Sequence, residues 1–217
     1  MALLVALAIA VFQDKMRAWF MRPKLDVSID VTPPDCLKIP LCRYGPDGTQ
    51  EVVADTYQLR LRVTNWGHQK AESVYVFASK LSRRQADDTF KEENSFLPMD
   101  LLWAGYRQPF FPAAISPKMC RHCDLAHVIE PHKRAGCTME NRTWPNVPAG
   151  KTILSFDIAV KHSTLSHLLP PGKYRLDLAV AAANAEPVWK TLEISLTGDW
   201  YDDEQRMFRE GVGVRIL

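Results

Sequence analysis

Over residues 57–77 the chain alternates apolar and polar positions: Tyr57, Leu59, Leu61 and Val63 interleave with Gln58, Arg60, Arg62 and Thr64. A period of two marks a strand with one buried and one wet face. Asn65-Trp66-Gly67 interrupts the run, and Val74, Val76 and Ala78 resume it, which predicts strand, turn, strand. Leu25, Val27, Ile29 and Val31 form an earlier strand closed by Pro33-Pro34, and residues 35–50 read as a loop with a Gly45-Pro46-Asp47-Gly48 turn. Residues 82–95 are polar, a solvated loop or hairpin tip. Residues 96–103, interrupted by Pro98, make an edge strand or ordered loop.

Residues 120–129 predict a strand with Cys123, Leu125, His127 and Ile129 on one side, followed by a long loop over 130–150. Alternation returns at Leu154, Phe156, Ile158 and Val160, at Tyr174, Leu176, Leu178 and Val180 after the Pro170-Pro171-Gly172 turn, and at Leu192, Ile194 and Leu196. Asp199 is placed to cap a short C-terminal helix through Glu210, and Val212, Val214 and Ile216 suggest a last strand. About seven or eight strands without intervening helices predict a mainly β, two-sheet sandwich. That domain spans 24–217 and carries a loop-rich insertion around 82–150.

The N-terminus has a different pattern. Residues 2–12 (ALLVALAIAVF) are uniformly apolar, and Trp19, Phe20 and Met21 continue that character past Lys15 and Arg17. Eleven helical residues reach only about 16 Å, whereas a helix running to Arg22 reaches ~30 Å, the thickness of a hydrocarbon core. Three readings stand: a cleaved secretory signal, a buried or interfacial helix, and a single-pass anchor over residues 1–23. The anchor is favoured, because a secretory signal wants positive charge ahead of its apolar run and only Met1 precedes this one. Lys15, Arg17, Arg22 and Lys24 all follow the apolar run, so the positive-inside rule puts the globular part in the cytoplasm.

Two stretches resemble bacterial immunoglobulin-like domains of the cell-adhesion-related and fibronectin-like kind. LRLRVTNWGHQKAESVYVF is similar to their V-x-N-x-G…A-x-x-V-x-V pattern, and LPPGKYRLDLAV to a strand near their end. The layout of apolar N-terminus, WFMRPKLDVSID and sandwich also resembles uncharacterised single-pass bacterial proteins. The resemblance implies a module that binds or spaces other things and supplies no catalytic residues.

A formal net charge of +2 over 217 residues gives no electrostatic case for nucleic acid. The chain lacks Gly-x-Ser-x-Gly, His-Glu-x-x-His, phosphate-loop and dinucleotide signatures, so no enzyme is indicated. The strongest chemical candidate is CRHCDLAHVIEPHKRAGC, with Cys120, His122, Cys123, His127, His132 and Cys137. Zinc takes four borderline ligands, and a Cys-x2-Cys turn supplies two of them. Cys120, Cys123, His132 and Cys137 are thus a candidate zinc site or thiol-redox centre, the rival to plain structural thiols. Cys36 and Cys42, at the ends of a predicted loop, are placed to pair in an oxidising compartment. For partners, Trp66 and His68 in the interrupting turn are the candidate contact residues. Trp103, Trp144, Trp189 and Trp200 are expected as core or sheet-edge covers.

Overall fold

The computed structural model describes residues 13, 21–105, 113–137, 148 and 150–217, with the backbone alone for 135–137. The predicted strand around Tyr57 is the longest in the molecule, β3 (Gln50–Asn65). Its Tyr57, Leu59, Leu61 and Val63 are fully buried, as their period requires. Along one edge β3 pairs antiparallel with β1 (Leu25–Ser28) and then β2 (Cys36–Tyr44); along the other it pairs with β9 (Cys120–Ile129). The far edge of β9 takes β7 (Leu102–Trp103) and β10 (Leu154–Phe156), and β10 pairs with β11 (Leu168–Leu169).

The second sheet is centred on β4 (Ala71–Arg84) and β12 (Gly172–Ala182), and continues through β13 (Ala185–Leu196) to β14 (Val212–Ile216). On the free edge of β4 three short strands follow one another: β8 (Ala113–Ile115), β6 (Met99–Asp100) and β5 (Phe90–Glu92). The two antiparallel sheets close over one core, to which Leu61, Val76, Leu125, Leu176 and Ile194 contribute. Each such side chain withdrawn from water contributes roughly 1.5–3 kcal/mol.

Fourteen strands appear among the described residues, where the pattern suggests seven or eight. The excess is in short pieces. The 82–150 segment is less a loop than a supplier of strands: it provides the short strands β5 to β8, the interior strand β9 and helix α1 (Pro131–Cys137). Residues 130–150 are therefore not simply a loop, because Pro131 opens a helix where its missing N–H costs nothing.

Other expectations are corrected. The supposed loop at 35–50 is largely β2, and only the turn at its tip holds, with Gly48 at a positive φ of 81°. Cys36 and Cys42 lie six residues apart on that one strand, about 20 Å, and cannot pair. The C-terminal helix starts from Asp203, not Asp199: the Asp203 carboxylate accepts from the Arg206 amide at 2.7 Å, capping α2 (Glu204–Arg206). A π-helical turn, Met207–Gly211, leads on to β14. Strand β10 ends at Phe156, and Val160 is exposed. Trp103 is buried as expected, but Trp189 is 65% exposed on the outer face of β13.

The apolar segment 1–23 lies almost wholly outside the described residues. Among those described, no helix is long and apolar enough to cross a membrane.

Candidate functional site

Asn65 ends β3 and is completely buried. Its Oδ1 accepts from the amides of Lys24 (3.1 Å) and Gly67 (2.9 Å), and its Nδ2 donates to the carbonyls of Gln69 (2.7 Å) and Ile115 (3.0 Å). All four hydrogen-bonding positions of the amide are filled. Backbone bonds complete the buckle: Trp66 N–H donates to the Lys24 carbonyl, Asn65 N–H to Met119, and Lys118 N–H to Asn65. A Cβ on Gly67 would sit 2.4 Å from the Arg22 carbonyl oxygen and 2.5 Å from the Lys24 nitrogen, so only glycine lets the incoming chain lie against the turn.

The consequence is a rigid mount for an exposed ring. Trp66 is 54% exposed, while its carbonyl accepts from the Lys118 ammonium at 2.5 Å. His68 is exposed two residues on. Met21 and Met119 are exposed at the same end, as are Lys24, Lys70 and Lys118. The β12–β13 turn joins them through Asn184, which accepts from the Glu72 amide and donates to the Lys70 carbonyl. The structure thus puts Trp66 and His68 together on one end of the sandwich, beside the point where the chain enters it.

The Cys/His cluster is distributed differently. Cys120 and Cys123 lie three residues apart on extended β9, about 10 Å, one exposed and the other fully buried. The turn that would point both thiols at one metal is absent because these residues pair with Thr64 and Leu61 of β3. His132 is exposed on α1, beyond the opposite end of β9, and the side chain of Cys137 lies outside the described residues. No group of three or more His, Cys, Asp or Glu side chains among the described residues is gathered as a metal would need. Burial pushes the Cys123 thiol well above its ordinary value, with the carboxylates of Asp124, Asp157 and Asp100 adding to the effect.

What β9 does carry is a polar ladder on its outer face. Leu125 is an extra residue between Ala126, opposite Leu59, and Asp124, opposite Arg60. This bulge shifts the phase, so Ala126 and Val128 turn inward and His127 turns out, contrary to the predicted side. Both His122 and His127 consequently lie on the outer face, each against a carboxylate. His122 Nε2 lies 3.0 Å from Asp35 Oδ1, which also accepts from Arg62 at 3.0 Å; His127 Nδ1 lies 2.9 Å from Asp157 Oδ1. Between them Arg60 donates to Asp124 at 2.9 Å. Asp35 is fully buried, and its second oxygen accepts from the Asp30 amide. Burial alone raises the Asp157 carboxyl, but the His127 charge and hydrogen bonds from His127 and Gln58 outweigh it and hold the group below its ordinary value. These carboxylates were not visible as a site from sequence, since Asp35 and Asp157 stand far from β9 in the chain.

A further Ser–His contact joins His162 Nδ1 to Ser166 Oγ at 2.7 Å, beside a cleft of about 190 Å³ lined by Arg83, Glu93 and Tyr174. Thr164 donates to the same Ser166 oxygen and to the Ser95 carbonyl, so these hydroxyls knit the 162–166 turn to its neighbour.

No family model, curated protein or solved structure matches the chain.

Proposed function

We propose that this chain is an immunoglobulin-like, non-catalytic binding or assembly module, held at a bacterial inner membrane by its N-terminal apolar segment with the sandwich on the cytoplasmic side. Its contact surface is the end that carries Trp66 and His68. The observation behind this reading is the Asn65 buckle. It fastens Lys24, where the chain enters the sandwich, to the turn that holds Trp66 exposed, so chain entry and contact residue share one rigid end. The polar side chains of the β9 ladder are engaged with one another, as in a structural network.

The test is fractionation. The full chain expressed in a bacterial host should sediment with membranes and resist carbonate extraction. Replacing Leu7 and Ile9 by Arg should release it, because charge inside an apolar span is costly. A wild-type chain recovered in the supernatant would refute the anchor. The zinc or thiol reading, with Cys120, Cys123, His132 and Cys137, has a separate check: Cys120→Ser with Cys123→Ser should leave metal content unchanged in a pure binder and abolish it in a zinc protein.

A further inference from the structure

We infer that the Trp66 end of the sandwich rests on the anionic headgroup surface of the bilayer, an inference that rests on the anchor reading above and takes lipid, not a protein, as what this contact surface meets. Three observations carry it. The first is continuity. Phe12 precedes Met21 by nine positions, so chain length alone keeps the end of the apolar run within ~30 Å of this end. From Lys24 onward the chain is bonded to Asn65 and Trp66, so its point of entry into the domain is this end.

The second is chemistry. Trp66, Met21 and Met119 expose apolar surface, and Arg22, Lys24, Lys70 and Lys118 stand around them. Among the described residues the carboxylates near this end are Glu72, Glu186, 3.9 Å from Arg22, and Asp26, which pairs with Lys190 at 3.1 Å. Tryptophan with basic side chains on long aliphatic stems is the composition of a membrane interface, where the ring sits at headgroup level and the charges meet anionic lipid. The core of a protein interface is by contrast poor in lysine, and here three lysines accompany the exposed ring. The third is rigidity: the saturated Asn65 amide holds the Trp66 turn in one geometry, so the ring meets the surface without an ordering cost.

The experiment uses the full chain reconstituted into vesicles of phosphatidylcholine, with and without about one third phosphatidylglycerol, and with acyl chains brominated to quench nearby tryptophan. Quenching should be greater in the anionic vesicles, and Trp66→Phe should remove that increment whereas Trp189→Phe should not. Lys24→Gln with Lys70→Gln should weaken docking by roughly 30-fold, from the attraction of each basic residue to an anionic surface. Carbonate-resistant sedimentation is read on the same samples. A chain that stays in the membrane while Trp66 ignores both bromine and phosphatidylglycerol overturns the docking and leaves the anchor standing. A chain extracted by carbonate refutes the anchor; the docking then stands if Trp66 is still quenched in anionic vesicles and falls if it is not. A photoreactive residue at position 66 that yields a protein adduct in native membranes, and no lipid adduct, also overturns it.

Discussion

Asn65→Ala tests the buckle on which the functional reading depends. The substitution orphans the Gly67 amide and the Ile115 carbonyl in contacts that are wholly buried, each at a cost of roughly 1–3 kcal/mol. The Lys24 amide and Gln69 carbonyl are less enclosed and turn to water, at about 0.5–1 kcal/mol each. Together the loss comes to about 3–8 kcal/mol, a large share of the roughly 5–15 kcal/mol typical of a folded domain. Denaturant unfolding of the full chain in mild detergent, followed by tryptophan fluorescence, reads this as a lowered midpoint. Asn65→Asp sharpens the test. It keeps the two acceptor bonds but turns carboxylate oxygen towards the two carbonyls, a repulsion that protonation relieves by giving one of them an O–H donor. Its folded-state pKa is therefore raised, and the folded state binds the extra proton. Stability of this variant should rise as pH falls from 7 towards 5, whereas wild type should show no such gain. A cost below about 1 kcal/mol for Asn65→Ala, or an Asn65→Asp variant indifferent to pH, would refute the reasoning.

Gly67→Ala should destabilise by about 1–3 kcal/mol, because the added carbon meets backbone of residues 22–24 and no flexible side chain can yield; the same unfolding assay measures it. Asp157, held below its ordinary value, contributes stability that is complete above about pH 4 and disappears as pH falls through the depressed folded-state value. Unfolding free energies of Asp157→Asn between pH 5 and 2 should therefore fall less steeply than those of wild type. Maleimide labelling read by mass spectrometry should modify Cys120 in the native chain and spare Cys36 and Cys123, since burial pushes the Cys36 thiol up to about 12 and the Cys123 thiol well above its ordinary range. Equal labelling rates for Cys120 and Cys123 would contradict the strand geometry.

The period-two runs disclosed the long strands because their inner faces are continuous: Tyr57 to Val63 and Tyr174 to Val180 are buried at every second residue. What periodicity missed has definite causes. Strand β2 hides behind Pro40 and alternates poorly because it is an edge, with one side of its ladder open. The Leu125 bulge reverses the phase of β9, and no local signal announces a bulge when the extra residue is itself apolar. The Cys-x2-Cys spacing suggested a metal turn, yet the same residues satisfy a strand, and pairing with β3 prevailed. The exposure of Trp66 was legible from its place in the turn between Asn65 and Gly67. The importance of Asn65 was not, since its partners Lys24 and Ile115 lie 41 and 50 residues away.

The length of β3 assigns different positions to the two ends of the molecule. Sixteen residues at ~3.3 Å put Gln50 about 50 Å from Asn65. The β2–β3 hairpin therefore holds Tyr44 and Val52, 57% and 61% exposed, as far from the Trp66 turn as the strand can carry them. The edge of β2 is guarded at its inner end, where Glu204 accepts from the Lys38 amide at 2.7 Å and the Tyr57 hydroxyl fastens the C-terminal turn by donating to the Tyr201 carbonyl. Beyond Pro40 the hairpin extends past that guard. With the Trp66 end on a bilayer, as inferred above, the tip would face away from it. Tyr44→Ser with Val52→Ser should then leave Trp66 quenching by brominated lipid unchanged. A loss of quenching in that variant would mean that the two ends do not act separately.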